Sequence, residues 1–273
     1  MNTTPKILIL SYYWPPSGGS GVQRWMYFAK YLKQLGYEPI VVTVAESQAS
    51  YPVLDPSLIQ EVEGIRVIKT ATREPLRWYS RLTSGDSKKG IPQGEVQTTS
   101  IFGKIAAYIR GNFFIPDARK GWVPFAVKAA QAVLKQEKIH CLITTGPPHS
   151  THLAGLQLAK QFQLNWWVDF RDPWLDVFYN KQLYRSQSSQ AKDAALEKTV
   201  LHYASGVITT TGGDLHQSLL QKAPDQTFVA LPNGYDADLM QQTPAAPKKD
   251  RFHIVYTGLL TQNQGYSKLM EVL

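Results

Sequence analysis

The chain has 273 residues, 43% of them hydrophobic, 18% charged and 11% aromatic, with one cysteine. That composition excludes disordered, collagen-like and coiled-coil chains, because apolar surface is ample to offset the entropy of ordering, and one cysteine excludes a disulfide framework or a thiolate zinc cluster. The formal net charge is +8, and residues 66–138 hold 14 Lys and Arg against 5 Asp and Glu; such a segment attracts a polyanion or an anionic membrane face, or else is a solvated basic surface. No apolar run reaches the roughly 18 residues needed to span a bilayer, and the first apolar stretch meets Pro15-Pro16 too early for a secretory signal, so the expectation is a soluble, cytoplasmic protein.

In chain order, KILILSYY (6–13) is a short apolar run that predicts a buried parallel strand. WPPSGGSG (14–21) is a loop, and Val22, Trp25, Met26, Ala29 and Leu32 then fall at helical spacing up to Gly36. YEPIVVTV (37–44) and IRVIKT (65–70) read as the second and third strands. Residues 71–122 form a basic, partly mobile segment: TSGDSKKGIPQGE (83–95) reads as loop, and IFGKIAAYIRGNFF (101–114) as a helix with Ile101, Phe102, Ile105 and Ile109 along one side. The spacing predicts helices at 123–138, 151–163, 193–204 and 213–223, alternating with strands at 140–145, 165–170, 206–211 and 227–232. QQTPAAPKKDR (241–251) has linker composition, FHIVYTG (252–258) begins a new strand, and SKLMEVL (267–273) begins a helix.

Strands alternating with helices of this length imply an α/β fold, a doubly wound, mostly parallel Rossmann-like sheet. Such sheets place ligands at the carboxyl ends of their strands, so the loops there are the candidates. Gly19-Ser20-Gly21 sits between a strand and a helix, but the third glycine of a dinucleotide fingerprint is replaced by Arg24; the backbone N–H groups of such a loop still suit a phosphate or a sugar hydroxyl, or the loop is small so that a second domain can close on it. His149, after the strand at 140–145, is a candidate catalytic residue, with His152 behind it. Asp169-Phe170-Arg171-Asp172-Pro173-Trp174 ends the next strand. There an Asp169–Arg171 pairing that fixes the loop stands beside a reading in which Arg171 or Asp172 touches a hydroxyl-rich ligand. Trp174 suits a sugar face or the core alike, Asp236-Ala237-Asp238 is too short a motif to assign a metal, and Cys141 reads as core.

Together, YYWPPSGGSGVQRW (12–25), TGPPHSTHLAGL (145–156), WVDFRDPW (167–174), LPNGYDADL (231–239) and FHIVYTGLL (252–260) resemble the N-terminal half of a retaining, nucleotide-sugar-dependent GT-B glycosyltransferase of the family 4 type. The PPHS and FRDPW combination resembles bacterial surface-polysaccharide enzymes. The resemblance implies two Rossmann-like domains facing across a cleft: an acceptor-side domain at 1–240, a linker at 241–251, and the start of a donor domain at 252–273. It implies that Gly18, Gly19 and Gly21 meet the donor diphosphate and that Asn233 and Gly234 line the cleft. Arg171 and Asp172 stand where many members carry a cleft histidine, which is absent here, and His149 faces the same cleft. The implied activity is sugar transfer with retention from a nucleotide-diphosphate sugar, a co-substrate with no further cofactor and no metal, to a glycan or lipid-linked glycan. Because the family's paired donor-binding glutamates lie further along, the chain is expected to be a fragment that is inactive alone. Lys88, Lys89, Lys104 and Arg110 are the candidates for membrane or acceptor contact, on the cytoplasmic face, with no nucleic acid expected. Two alternatives stay open: a non-catalytic basic α/β module that binds a polyanion or membrane surface, and an NAD-dependent epimerase-like enzyme, whose Tyr-x-x-x-Lys pair Tyr27 and Lys30 approach without matching its spacing.

Overall fold

The computed structural model describes residues 4–74, 101–242, 254–256 and 265–272. They divide into two units, Met1–Gly234 and Tyr235–Leu273. The first unit is built on a parallel sheet of β1 (Lys6–Leu10), β2 (Glu38–Val44), β3 (Arg66–Thr70), β4 (Cys141–Gly146), β5 (Trp166–Phe170), β6 (Gly206–Thr209) and β7 (Phe228–Ala230), in the order β3-β2-β1-β4-β5-β6-β7. The central strands read as unbroken apolar runs because helices cover both faces, and Leu8, Ile9, Leu10, Val41, Leu142 and Val168 are buried accordingly. Strand order reverses between β1 and β4, which pair in parallel from Ile7 with Cys141 to Leu10 with Thr144. The loops after these two strands therefore open side by side, at the place where open α/β sheets receive ligands.

Flanking the sheet are α1 (Ser20–Gln34), α2 (Ile101–Phe113), α3 (Val123–Gln136), α4 (Ser150–Phe162), α5 (Gln187–Tyr203) and α6 (Asp214–Lys222). Pro124 at the start of α3 sits where a missing N–H costs nothing. Helix α5 begins at Gln187, six residues ahead of the spacing-based start at 193, because Ser186 caps it by accepting from Ser189 N. The stretch before 193, Gln187-Ser188-Ser189-Gln190-Ala191-Lys192, carries no large apolar residue, so apolar periodicity does not mark this start. Asp193 accepts from Trp174 Nε1 at 2.7 Å and from Arg185 at 2.6 Å, and Glu197 from Lys222 at 2.9 Å.

In the second unit, α7 (Ala237–Gln242) and α8 (Tyr266–Val272) are described. Residues 254–256, expected within a strand beginning at 252, are exposed and outside any strand. An apolar run becomes a strand only when a neighbouring strand completes its hydrogen bonds, and the described sheet runs from β3 to β7 without residues 254–256.

A buried ion pair joins the first helix to the sheet. Arg24 lies on α1 and Asp169 on β5; both side chains are fully enclosed, with Nη2 2.8 Å from Oδ1. Trp25 Nε1 donates to Asp169 Oδ2 at 2.6 Å and Thr145 Oγ1 at 2.8 Å, so the carboxylate has donors from α1 and β4. The other arm of the guanidinium donates to Leu231 O at 2.7 Å and Asn233 Oδ1 at 3.0 Å. The expected Asp169–Arg171 pairing is thus replaced by Asp169–Arg24, since Arg24 reaches over the sheet edge to the carboxylate. Replacing either partner leaves the other charge buried and uncompensated, and the expected loss is about 3–5 kcal/mol for Arg24→Ala and for Asp169→Asn alike; denaturant melts of both and of the double variant check it, the double variant losing less than the sum of the two.

Candidate functional site at the carboxyl edge of the sheet

The loop after β1 is pinned along its length. Gly18 N donates to Val53 O at 2.9 Å and Asp55 N to Pro16 O at 2.8 Å, so residues 16–18 lie against 53–55. Gly19 then takes φ 92°, a left-handed conformation that favours glycine, and stands at the N-cap of α1 without a side-chain cap. The first turn of α1 carries no acidic residue. Gly21 makes room for Arg171, since a Cβ there would fall 2.5 Å from the guanidinium. The 15-residue helix thus presents its positive end at an exposed glycine loop.

Arg171 sits directly beside that end. Its guanidinium donates to three backbone carbonyls: Gly146 O at 3.2 Å, Gly21 O and Pro147 O. Burial lowers its pKa, with Asp169 and Asp172 opposing the shift. Among the described residues no carboxylate forms an ion pair with it: Asp169 is taken by Arg24, and Asp172 is exposed. Asn233 and Gly234 are exposed, and Asn233 is held to α1 through Arg24. Arg171, Gly18, Gly19, Gly21 and Asn233 are thereby brought together through α1. Asp172 lies on the same edge, while Lys88 and Lys89 fall outside the described residues. Lys104 and Arg110 lie on α2, and Tyr27 and Lys30 lie down α1, where Lys30 pairs with Glu61 at 2.6 Å, far from the carboxyl edge.

His149 lies just behind Arg171. Its ring stacks on Trp174 with centroids 5.1 Å apart and the planes 11° from parallel, so Trp174 is committed to the core. Its Nε2 lies 3.3 Å from Pro173 O; a carbonyl only accepts, so Nε2 carries the proton. His152 Nδ1 lies 2.8 Å from Thr144 Oγ1, which also accepts from Trp166 Nε1 at 3.0 Å. The remaining ring nitrogens of both histidines face Gly146, where a Cβ would fall 2.7 and 2.6 Å from them. Burial pushes the His149 pKa down to about 3, and His152 falls well below its ordinary value for the same reason. Both imidazoles are neutral at physiological pH.

A second buried polar group borders this edge. Asp117 accepts from Ser150 N at 2.7 Å and Ser150 Oγ at 2.8 Å, capping α4 from 33 residues away, and burial raises its pKa. Two residues on, Arg119 pairs with the enclosed Glu74 at 3.3 Å, and Glu74 also accepts from Tyr12 and, at 2.5 Å, from Ser50. A Pro-Asp-x-Arg stretch between two helices is the only sequence signal for this corner. It distinguishes the two helix starts on this edge: α4 has its carboxylate, α1 has none.

The fold is shared with solved glycosyltransferases. Sucrose-phosphate synthase from Thermosynechococcus elongatus matches at TM-score 0.53 and 16% identity, over 86% of this chain and 49% of that chain. HepE of Anabaena, solved with UDP and glucose, matches at TM-score 0.46 and 13% identity, over 86% and 46% of the two chains. A UGT transferase from Siraitia grosvenorii, solved with UDP, matches at TM-score 0.42 and 12% identity, over 83% and 50%. The chain spans about half the length of these structures. No family model and no curated protein matches the sequence.

The two histidines set an acid sensitivity. Unfolded histidine titrates near 6.5, while the folded forms stay neutral far below that, so the unfolded state binds more protons as pH falls. Stability contributed by neutral His149 is fully present above about pH 6.5 and drains by about 1.4 kcal/mol per pH unit towards 3. His149→Phe keeps the stack on Trp174 and removes one titrating group; unfolding free energies from pH 7 to 5 should fall less steeply in this variant, by close to one proton.

Proposed function

We propose that the chain is the acceptor-side part of a retaining enzyme that transfers a sugar from a nucleotide-diphosphate sugar to a glycan or lipid-linked glycan in the cytoplasm. One observation carries this reading: Arg171, a guanidinium that forms no ion pair with a carboxylate among the described residues, stands against the positive end of α1, which has no side-chain cap. A cation and a helix N-terminus aimed at one exposed glycine loop suit an anionic group that gathers charge as a bond breaks, and a leaving diphosphate is such a group.

In this reading each residue has a distinct task. Arg171 and the N–H groups near Gly19 and Gly21 stabilise the departing diphosphate, and the exposed Asp172 accepts from a sugar hydroxyl. His149 is a positioning residue: a neutral, enclosed imidazole with its Nε2 proton on Pro173 O is suited to hold the 171–174 loop rather than to exchange protons with substrate. Front-face transfer with retention needs no protein nucleophile, which fits a domain whose contribution is electrostatic. Asn233 and Gly234 border the loop, and Arg24 fixes Asn233 relative to the glycine turn.

Two experiments test the proposal. By calorimetry, the 273-residue chain should bind UDP- or GDP-sugars weakly and show no turnover, since most nucleotide contacts are assigned to the second domain; micromolar binding would overturn that assignment. In a chain that includes the second domain, Arg171→Ala should lower kcat/KM by about 10²–10³-fold, the range seen when one donor to a developing anion is lost, with Arg171→Lys partly restoring it. Arg171 also braces three carbonyls, so melting curves accompany the rates; equal losses in the Lys and Ala variants, tracking stability, would leave Arg171 as a brace alone.

A further inference from the structure

Helix α2 is amphipathic in the inverted sense. Its contacts with the rest of the fold run through small residues: Ala107 is buried, and a Cβ added to Gly111 would fall 2.5 Å from Leu183 O and 2.8 Å from Leu183 Cβ. Asn112, about 100° further round the helix, adds a second line of contact, donating from Nδ2 to Tyr184 O at 3.1 Å and accepting from Ser186 N at 2.8 Å. At about 100° per residue, the opposite side of the helix carries Ile105 and Ile109, with Tyr108 and Phe113 beside them. All four are solvent-exposed, at 52%, 43%, 48% and 64% of their surface respectively. The apolar stripe that the sequence predicts therefore points away from the core, where a surface helix ordinarily carries charge.

The charge around the stripe has one sign. In residues 101–122 and 178–193, the exposed charged side chains are Lys104, Lys120, Lys181 and Lys192. The two acidic residues in these segments are withdrawn: Asp117 caps Ser150, and Asp193 is buried against Trp174 and Arg185. Lys120 lies beside Phe114, with Nζ 5.7 Å from the ring, and donates to Phe113 O at the end of the stripe. Lys192 is close enough to Lys120 to lower its pKa, although burial of Lys120 is the larger cause. Two ammonium groups crowded beside exposed apolar side chains gain from an anionic surface that also offers an apolar interior.

We propose that α2 is a membrane-docking helix, lying along an anionic phospholipid bilayer with Ile105, Ile109 and Phe113 immersed and the lysines at the headgroups. An amphipathic helix binds such an interface through buried apolar area and attraction to anionic lipid together. Tyr108 suits the boundary, with an apolar ring and a polar tip. The proposal is independent of the transferase reading, because docking requires neither donor nor acceptor.

Flotation of the 273-residue chain with vesicles tests it. The protein should float with phosphatidylcholine vesicles containing phosphatidylglycerol at low salt, and weakly or not at all with phosphatidylcholine alone or at high salt. Ile109→Glu should abolish flotation without lowering the melting temperature, because the side chain is exposed. Lys104→Gln with Lys120→Gln should weaken it by about fivefold for each lysine that reaches the surface. Equal association with neutral and anionic vesicles, no association with either, or undiminished flotation of Ile109→Glu would each overturn the proposal, and self-association through the stripe in place of flotation would assign the surface to a protein partner.

Discussion

The carboxyl edge of this sheet is organised by one enclosed ion pair, Arg24 with Asp169. Two charges removed from water gain little net stability from each other, because desolvation offsets most of their attraction. Their value lies in what they hold in register. The carboxylate takes donors from α1 and β4 while sitting on β5, and the guanidinium reaches on to the backbone at Leu231 and the side chain of Asn233. Four segments distant in sequence therefore meet at one point, and a shift in any of them strands a buried charge. The same pair explains why a glycine is missing from the nucleotide-type loop. Arg24 occupies the position where a dinucleotide fold brings helix and strand together on glycine, and it uses that place to anchor the helix.

That anchoring decides the fate of the neighbouring charge. Asp169 and Arg171 lie two residues apart at the end of β5, and simple proximity suggests a pair. With Asp169 committed to Arg24, Arg171 turns to backbone carbonyls of the loops after β4 and at the start of α1. Carbonyls orient a guanidinium without neutralising it. The outcome is a positive group, lowered in pKa by burial and braced by rigid backbone, beside a helix end that lacks a carboxylate. The adjacent α4 shows the contrast, since Asp117 satisfies its first turn.

How much of this was legible follows from what kind of signal each feature leaves. Strands such as KILIL and the α3 segment announce themselves, because covering both faces of a parallel sheet demands continuous apolar runs and a helix on a sheet demands a 3.6-residue period. The carboxyl-edge loops followed from topology, so His149, Arg171 and the glycine loop could be singled out. Partners could not: Arg24 and Asp169 are 145 residues apart, and nothing local marks either as the other's counterion. The first turns of α5, residues 187–192, hold no large apolar residue, so the spacing marks the helix only from Asp193. The role of His149 also depended on burial, which composition does not encode. A histidine at a strand end suggests proton transfer, but the stack on Trp174 and the carbonyl of Pro173 leave it neutral and enclosed.

Helix α2 shows the limit of periodicity most plainly. The spacing of Ile101, Phe102, Ile105 and Ile109 marks a stripe in the sequence, and an amphipathic helix in isolation is assigned its apolar side to the core by default. What inverts the assignment here is residue size. Ala107 and Gly111 permit the helix backbone to approach Leu183 and Arg185 closely, an approach that larger side chains on that side would prevent. The small face gains contact by proximity while the large apolar face is left to another medium. Among the described residues of 101–122 and 178–193 the acids are also internal, one spent on capping α4 and the other on Trp174, and the exposed charges are lysines. The basic character of residues 66–138 is therefore more than an excess in a count: around α2 the fold withdraws the negative partners, and the positive charge that remains borders the apolar stripe.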